Sequence, residues 1–530
     1  MRSLILCLLS VLLCVAVNVN AQAAAKPNIV VILADDMGYS DLGCYGGEIS
    51  TPNIDNLASH GLRLTQFYNS ARCCPSRAAL MTGLYNHQTG IGSMIDAYAT
   101  WIRKAAHSDY YIDHLRTDTP TIPEVLHSAG YQTIMCGKWH LGDRPEEWPA
   151  ARGFDRSFAL IPGAMNYFGG ETKGPRSPMA LNDKKFVPPH DGFYSTDAFG
   201  DHAIQFIDEA KKQEKPFFLY LAFNAPHWPL QAPEADIARY KGKYDAGWQP
   251  IREARYKRMV ELGIVDGKQP MAPMDRGKVR PWNELSDAQR ADWSRRMEIY
   301  AAQISRLDLN VGRVMDELKK LGVDQNTLVI FISDNGGAAE DPNHPGDAPL
   351  GTRDSFKGYA RPWATVSNTP WRLHKVTAYE GGISAPFIAY WPGMISESRD
   401  NQFVREPAHI IDIMPTLIEL SGATRSDKGT KLEGESLAGL FRGESLPVSR
   451  TLCWEHEGNR AIRMGKWKMV ALALQPWELY DIETDRVESH NLAAEMPEKV
   501  KELSAAYDEW AKRCHVVPWD QIEPHRPEKK

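Results

Sequence analysis

Four short segments of this 530-residue chain carry side chains whose types and spacing suit chemistry on an oxyanion ester. Each follows an apolar run. The run N-I-V-V-I-L-A, residues 28–34, leads into Asp35 and Asp36. Residues 131–136 lead into Gly137-Lys138-Trp139-His140, and residues 217–223 into Asn224-Ala225-Pro226-His227. Residues 327–332 lead, past Ser333, into Asp334-Asn335-Gly336-Gly337. Three aspartates and an asparagine offer only hard oxygen ligands, which suit Ca2+ or Mg2+ rather than a transition metal. Singly, each Asp also reads as a helix cap or turn residue. Two acidic clusters, each closing an apolar strand, favour the metal, because adjacent buried carboxylates repel unless a cation neutralises them. Lys138, His140, His227 and, further on, Lys375 add positive charge and proton donors. A cation, two lysines and two histidines in one pocket would bind a tetrahedral oxyanion ester.

The nucleophile is sought in Cys73-Cys74-Pro75-Ser76-Arg77-Ala78-Ala79-Leu80-Met81-Thr82-Gly83, the most specific segment of the chain. C-x-P-S-R is built from uncommon residues and rarely arises by chance. A half-cystine before a helix is the structural alternative, although adjacent cysteines make a strained pair. His87 and His344 read as structural histidines. Trp139, Trp228, Trp363 and Trp371 read either as a sugar- or aryl-binding wall or as packing.

The elements that must position these groups are strands buried on both faces. Residues 386–391 form a further one. Helical spacing of Met297, Tyr300, Ile304, Leu307, Val311, Val314 and Leu318 leads into the strand at 327. Alternating strands and helices predict an α/β domain with a mostly parallel sheet, and catalytic groups in such sheets collect beyond the strands' carboxyl ends. Residues 231–292 and 338–372 break the rhythm and read as long functional loops. Composition turns polar near 425–450, a boundary. Beyond it come strand-like residues 463–470 and 478–481, then a closing helix with Val500, Leu503, Tyr507 and Trp510 on one face, and a frayed tail at 523–530.

Composition bounds the answer. With 43% hydrophobic and 24% charged residues the chain is an ordinary globular protein, not a disordered or polytopic membrane one. Its length exceeds the ~250–300 residues at which one core stops growing, so a large and a smaller domain are expected. A net charge of −6 with no basic block argues against nucleic acid. Arg2, the apolar run from Leu4 to Val17 and the small residues at 21–23 predict a signal peptide, and the run is short of the ~20 residues of a membrane span. Export to the periplasm or beyond follows. The remaining cysteines (Cys44, Cys73, Cys74, Cys136, Cys453 and Cys514) are too few for a disulfide scaffold, though one or two bridges fit an exported protein.

On these motifs the chain resembles the formylglycine-dependent sulfatases, in particular their bacterial arylsulfatase branch. C-x-P-S-R-A-A-L-x-T-G is that family's signature, and A-D-D-M-G-Y-S-D, G-K-W-H-L-G, A-P-H-W-P-L-Q-A-P, S-D-N-G-G and Y-E-G-G-I extend the likeness from Pro27 to about Ala493. The chain has Thr82-Gly83-Leu84 where many members continue T-G-R, outside the C-x-P-x-R core.

The resemblance implies oxidation of Cys73 to formylglycine by a formylglycine-generating or sulfatase-maturating enzyme. It implies a metal site of Asp35, Asp36, Asp334 and Asn335 with residue 73, and catalytic Arg77, Lys138, His140, His227 and Lys375, with Lys138, His227 and Lys375 also binding substrate. It further implies an alkaline-phosphatase-like fold: a catalytic domain over residues 24–440 after a signal at 1–23, and a C-terminal subdomain over 441–530 with a four-stranded antiparallel sheet and a helix. The implied substrates are aryl sulfates or sulfated saccharides. A phosphate or phosphonate monoester hydrolase and a non-catalytic glycan-binding homologue are the alternatives.

Overall fold

The computed structural model describes residues 26–170, 178–274, 278–342, 348–426, 430–447 and 450–527. The predicted signal peptide, His344 and the last three residues lie outside them. The strands are β1 (Asn28–Ala34), β2 (Leu62–Tyr68), β3 (Gln132–Lys138), β4 (Arg156–Leu160), β5 (Met179–Leu181) and β6 (Lys184–Phe186). They continue with β7 (Phe217–Ala222), β8 (Thr327–Ser333), β9 (Ser384–Tyr390), β10 (Gln402–Val404) and β11 (Ala408–His409). These build one mixed, mostly parallel sheet in the order β10-β2-β9-β8-β1-β7-β3-β4-β5-β6, with β11 also on β2.

The apolar runs make the centre of this sheet for a plain reason. β1 alternates Ile29, Val31 and Leu33 into one hydrophobic core with Val30, Ile32 and Ala34 into another, so both faces are covered. It pairs in parallel with β7 and β8, Val31 lying opposite both Tyr220 and Ile330. β3 lies beyond β7, also parallel. The carboxyl ends of β8, β1, β7 and β3 therefore sit side by side, which brings their four sequence segments to one edge. On one face runs the Asp287–Lys320 helix, started by the Ser286–Gln289 capping box.

Some predicted details change. Residues 231–292 hold helices Glu234–Ala238 and Trp248–Glu261, and residues 338–372 hold Ala360–Ser367. Residues 463–470 are not one strand; Gly465, at φ 58, turns the chain between two. The second sheet is β12 (Thr451–His456), β13 (Asn459–Met464), β14 (Trp467–Ala471) and β15 (Glu478–Asp481), antiparallel throughout. The Pro497–Arg513 helix follows, with Leu503, Tyr507 and Trp510 buried as predicted. Residues 523–525 form a 3-10 turn after a short Trp519–Ile522 helix instead of fraying. Among the described residues no helix is long and apolar enough to cross a membrane.

The small sheet is locked to the large one by a buried ionic joint. Lys468 Nζ donates to Glu380 Oε1 at 2.8 Å and stands 2.7 Å from Glu488 Oε1, all three side chains being fully buried. Arg486 donates to Glu380 Oε2, the Thr65 carbonyl and Ser384 Oγ. Removing one partner strands buried charge, which costs about 3–5 kcal/mol. Lys468→Met should therefore lose about that much in urea unfolding, and a loss under 1 kcal/mol would show the joint to be idle.

Burial, with Glu380 close by, outweighs Lys468 and raises the Glu488 carboxyl from 4.5 to about 7. A raised acid favours the folded state in its protonated form. Its contribution is full below pH 4.5 and is lost as pH climbs through about 7. Glu488→Gln should flatten the decline in melting temperature between those pH values. An unchanged slope would remove Glu488 from it.

Candidate active site

At the end of β1 the chain turns sharply, Asp36 adopting φ 69. Asp35 and Asp36 are both buried, and the Asp36 amide donates to Asp334 Oδ1 at 3.2 Å from the end of β8. Asn335 Nδ2 donates to Asp36 Oδ1 at 2.6 Å. Cys73 opens the buried Cys73–Thr82 helix, and its Sγ lies 4.0 Å from Asp36 Oδ1. One turn along, Arg77 Nη2 donates to Asp334 Oδ2 at 2.8 Å and Nη1 to the Lys138 carbonyl at 2.8 Å. The predicted oxygen donors thus converge around residue 73.

The cations converge on the same place. Lys138 Nζ donates to Asp35 Oδ2 at 2.7 Å, and Lys375 Nζ lies 2.9 Å from Asp36. His227 Nδ1 lies 2.6 Å from the Trp228 carbonyl and donates to it, which turns Nε2 to within 3.5 Å of both Asp36 Oδ2 and Lys375 Nζ. His227 and Lys375 meet on the Asp36 side of the pocket, because both cationic groups seek the Asp36 carboxylate. His140 sits at φ 56 beyond β3, with Nε2 3.1 Å from Asp96 Oδ2.

The local backbone is bent to reach this arrangement. Asp36, Ala71, His140, Leu373 and Val376 all have positive φ, at a cost of about 1–3 kcal/mol each. Val376, β-branched at φ 83 beside Lys375, is the most unusual of them. Gly137, at φ 125, has no room for a side chain: a Cβ there would stand 1.8 Å from the Ala222 carbonyl oxygen of β7.

The electrostatics follow from burial and proximity. Burial opposes ionisation of Cys73, yet Lys138 and Lys375 draw its thiol well below its ordinary value. Burial raises Asp334 to about 6, with Asp35 adding to the rise and Arg77 opposing it. Burial works against a charged His227, but Asp36 and Asp35 prevail and raise its pKa.

The donor set fits a hard cation. Among the described residues Asp35 Oδ1 and Asn335 Oδ1 are buried without a hydrogen-bond partner, the former 3.6 Å from Arg77 Nη2. Orphaned oxygens of this kind demand a partner. Ligand atoms of Asp35, Asp36, Cys73 and His227 lie within 4.8 Å of one another.

The sequence model of the sulfatase family matches residues 27–423, three-quarters of the chain, which spans the whole of this cluster. The chain belongs to the sulfatase family. It is 37% identical to an uncharacterised sulfatase of Schizosaccharomyces pombe, over 91% of this chain and 93% of that one. It is 35% identical to an arylsulfatase of Klebsiella aerogenes, over 76% and 88%. A crystal structure of Ps i-CgsB in complex with a neocarrahexaose superposes with a TM-score of 0.68 at 27% identity, covering 92% and 93%. This sulfatase is accordingly an enzyme of sulfate-ester hydrolysis on the alkaline-phosphatase-like fold.

Two side chains of this sulfatase's site escaped sequence reading. Glu340, in the loop after β8, takes Trp228 Nε1 at 2.7 Å, Arg72 Nη2 at 3.0 Å and Lys375 Nζ at 3.4 Å. Asp96 reaches His140 from a loop with no motif of its own. Of the four tryptophans, Trp139, Trp363 and Trp371 are buried packing. Trp228 alone is half-buried, its ring 4.7 Å from His227.

Proposed function

We propose that this sulfatase cleaves sulfate monoesters at residue 73, with Cys73 oxidised to formylglycine and Ca2+ held by Asp35, Asp36, Asp334 and Asn335. The observation that carries the proposal is the burial of Cys73 within a ring of three carboxylates, two lysines and two histidines. Its thiol marks where the oxygens of the modified residue would lie. When present, the aldehyde hydrate supplies two hydroxyls on one carbon, and the cation supplies positive charge that lowers the pKa of a nearby oxygen.

The remaining work falls to the chain's own groups. Asp334 can take a proton from residue 73, since Arg77 fixes its orientation beside that residue. Lys138 and Lys375 present ammonium groups to sulfate oxygens. His227 Nε2 gives a proton to the departing alcohol, its ring held by the Trp228 carbonyl. His140 handles the proton on residue 73's second oxygen. Arg77 and Lys138 neutralise the aspartates so that a bound anion is not repelled.

The half-buried Trp228 and the Arg72–Glu340 pair suit a ring-shaped, hydroxylated leaving group, so a sulfated saccharide is the proposed natural class, with aryl sulfates as surrogates. Export, and maturation by a formylglycine-generating or sulfatase-maturating enzyme, complete the proposal. Protein co-expressed with such an enzyme should show the aldehyde at residue 73 by peptide mass spectrometry. It should turn over 4-nitrophenyl sulfate and prefer it to the matched phosphate ester. Chelation should remove that turnover and Ca2+ restore it. Full activity with an unmodified thiol, or preference for the phosphate, would overturn the proposal.

A further inference from the structure

We infer that Asp96 is a positioning residue: it anchors Nε2 of His140 so that Nδ1 is the nitrogen exchanging a proton with residue 73. The inference rests on the reading of residue 73 as the reacting group.

Three observations support it. The His140 ring is almost fully buried, and the Asp96 carboxylate receives Nε2 at 3.1 Å. Nδ1 is buried and has no hydrogen-bond partner among the described residues, although the ring interacts with the Cys73 side chain. An unsatisfied buried nitrogen beside a reacting position is a group kept in reserve, since such atoms are otherwise paired. The third observation is steric. Gly163 packs against the ring so closely that a Cβ there would stand 2.6 Å from His140 Cε1 and 2.8 Å from Nε2. The ring is thus gripped at one edge by a carboxylate and on another side by bare backbone, while its own backbone is held at φ 56.

A carboxylate on one imidazole nitrogen fixes both the ring's angle and which nitrogen is the outer donor. Asp96 suits that task because it stays ionised: His140, Lys138 and Arg72 hold its carboxyl below the usual carboxylate range against the effect of burial. Asp96 is a third exposed along its side chain, so its own anchoring comes from the loop. Its carbonyl accepts from the Ala99 amide and from Arg103 Nη1. No substrate contact is assigned to it.

The test has an arm that needs no turnover. In 15N-histidine-labelled protein carrying Cys73, the His140 ring should show a slowly exchanging Nε2 proton shifted by a carboxylate partner. Asp96→Ala should lose that signal and Asp96→Glu should retain it. In matured enzyme, Asp96→Ala should lower kcat on 4-nitrophenyl sulfate about 10²-fold, the scale of a misaligned catalytic group, with KM little changed. Adding Asp96→Ala to His140→Ala should cost nothing further, because the residue acts only through the ring.

A wild-type ring protonated on Nδ1 alone, an unchanged kcat in Asp96→Ala, or additive losses in the double variant would each overturn the inference. Should Asp96→Ala fail to fold, the wild-type ring signal and the kinetics of Asp96→Glu still decide the matter. Failure of the sulfatase reading would look different: the wild-type enzyme itself would be inactive on the sulfate ester while the His140 signal stood unchanged.

Discussion

Exchanging Cys73 for serine is expected to leave a protein that releases one equivalent of alcohol and then stops. A serine hydroxyl in this ring of cations can attack sulfur once. Its carbon bears no second oxygen, so nothing can collapse to expel sulfate. Loss of a nucleophile that works as part of a unit costs about 10⁶-fold in steady-state rate. Quench-flow with an aryl sulfate should show a burst equal to the enzyme concentration, and mass spectrometry should find one SO3 on residue 73. Cysteine and serine are nearly isosteric and residue 73 is buried in a helix start, so the melting temperature should hardly move. Sustained turnover by the serine variant would refute the two-oxygen chemistry.

His227→Ala separates proton donation from binding. The Nδ1 bond to the Trp228 carbonyl leaves Nε2 as the only ring nitrogen able to serve a substrate. A positioned general acid is worth about 10²–10⁴-fold, and its value grows as the leaving group becomes more basic. Alkyl sulfates should therefore lose close to the full factor and activated aryl sulfates much less. Equal losses on both would leave His227 as a binding residue. The neighbouring Lys375, held by Asp36 and Glu340, would then have to be the proton source.

The site's oxygen donors were legible because their positions are dictated by strand chemistry. A strand buried on both faces needs a continuous apolar run, and a run that ends in two acids announces where the buried part stops. That logic placed Asp35, Asp36, Asp334 and Asn335 together before any contact was known. The Cys73 signature and the lysine–histidine pairs depended on short motifs and on resemblance.

Other features gave no such signal. The Trp248–Glu261 helix turns Trp248, Arg252, Arg255 and Met259 inward, and two arginines on a buried face erase the apolar stripe by which a helix is recognised. Arg255 is nonetheless fully satisfied there, by Asp41 and Glu48. The hairpin of β13 and β14 alternates arginine and lysine with apolar residues, and its turn at Gly465 looked like the interior of one strand. Asp96 and Glu340 lie on loops, where one acid looks like another until its partner is known. The far end of the ionic joint was hidden likewise: Glu380 appeared only within Y-E-G-G-I, and Lys468 is over 80 residues away.

The joint around Glu380 also bears on how this enzyme would tolerate being cut. Lys375 lies five positions before Glu380, and Arg372 and Tyr379 both reach Glu478 on β15. The loop carrying Lys375 is therefore clamped from the far side by a sheet that supplies none of the site residues named above. A gene shortened to end near residue 440 would encode a pocket whose lysine is no longer held, with Glu380 facing no cation from that sheet. A single backbone nick in the exposed stretch at residues 442–445 is another matter, since the clamp is noncovalent and both pieces would keep it. Clipped preparations should accordingly stay active until denatured, whereas truncated clones should not. Engineering a smaller version would have to begin by replacing Lys468 and Arg486.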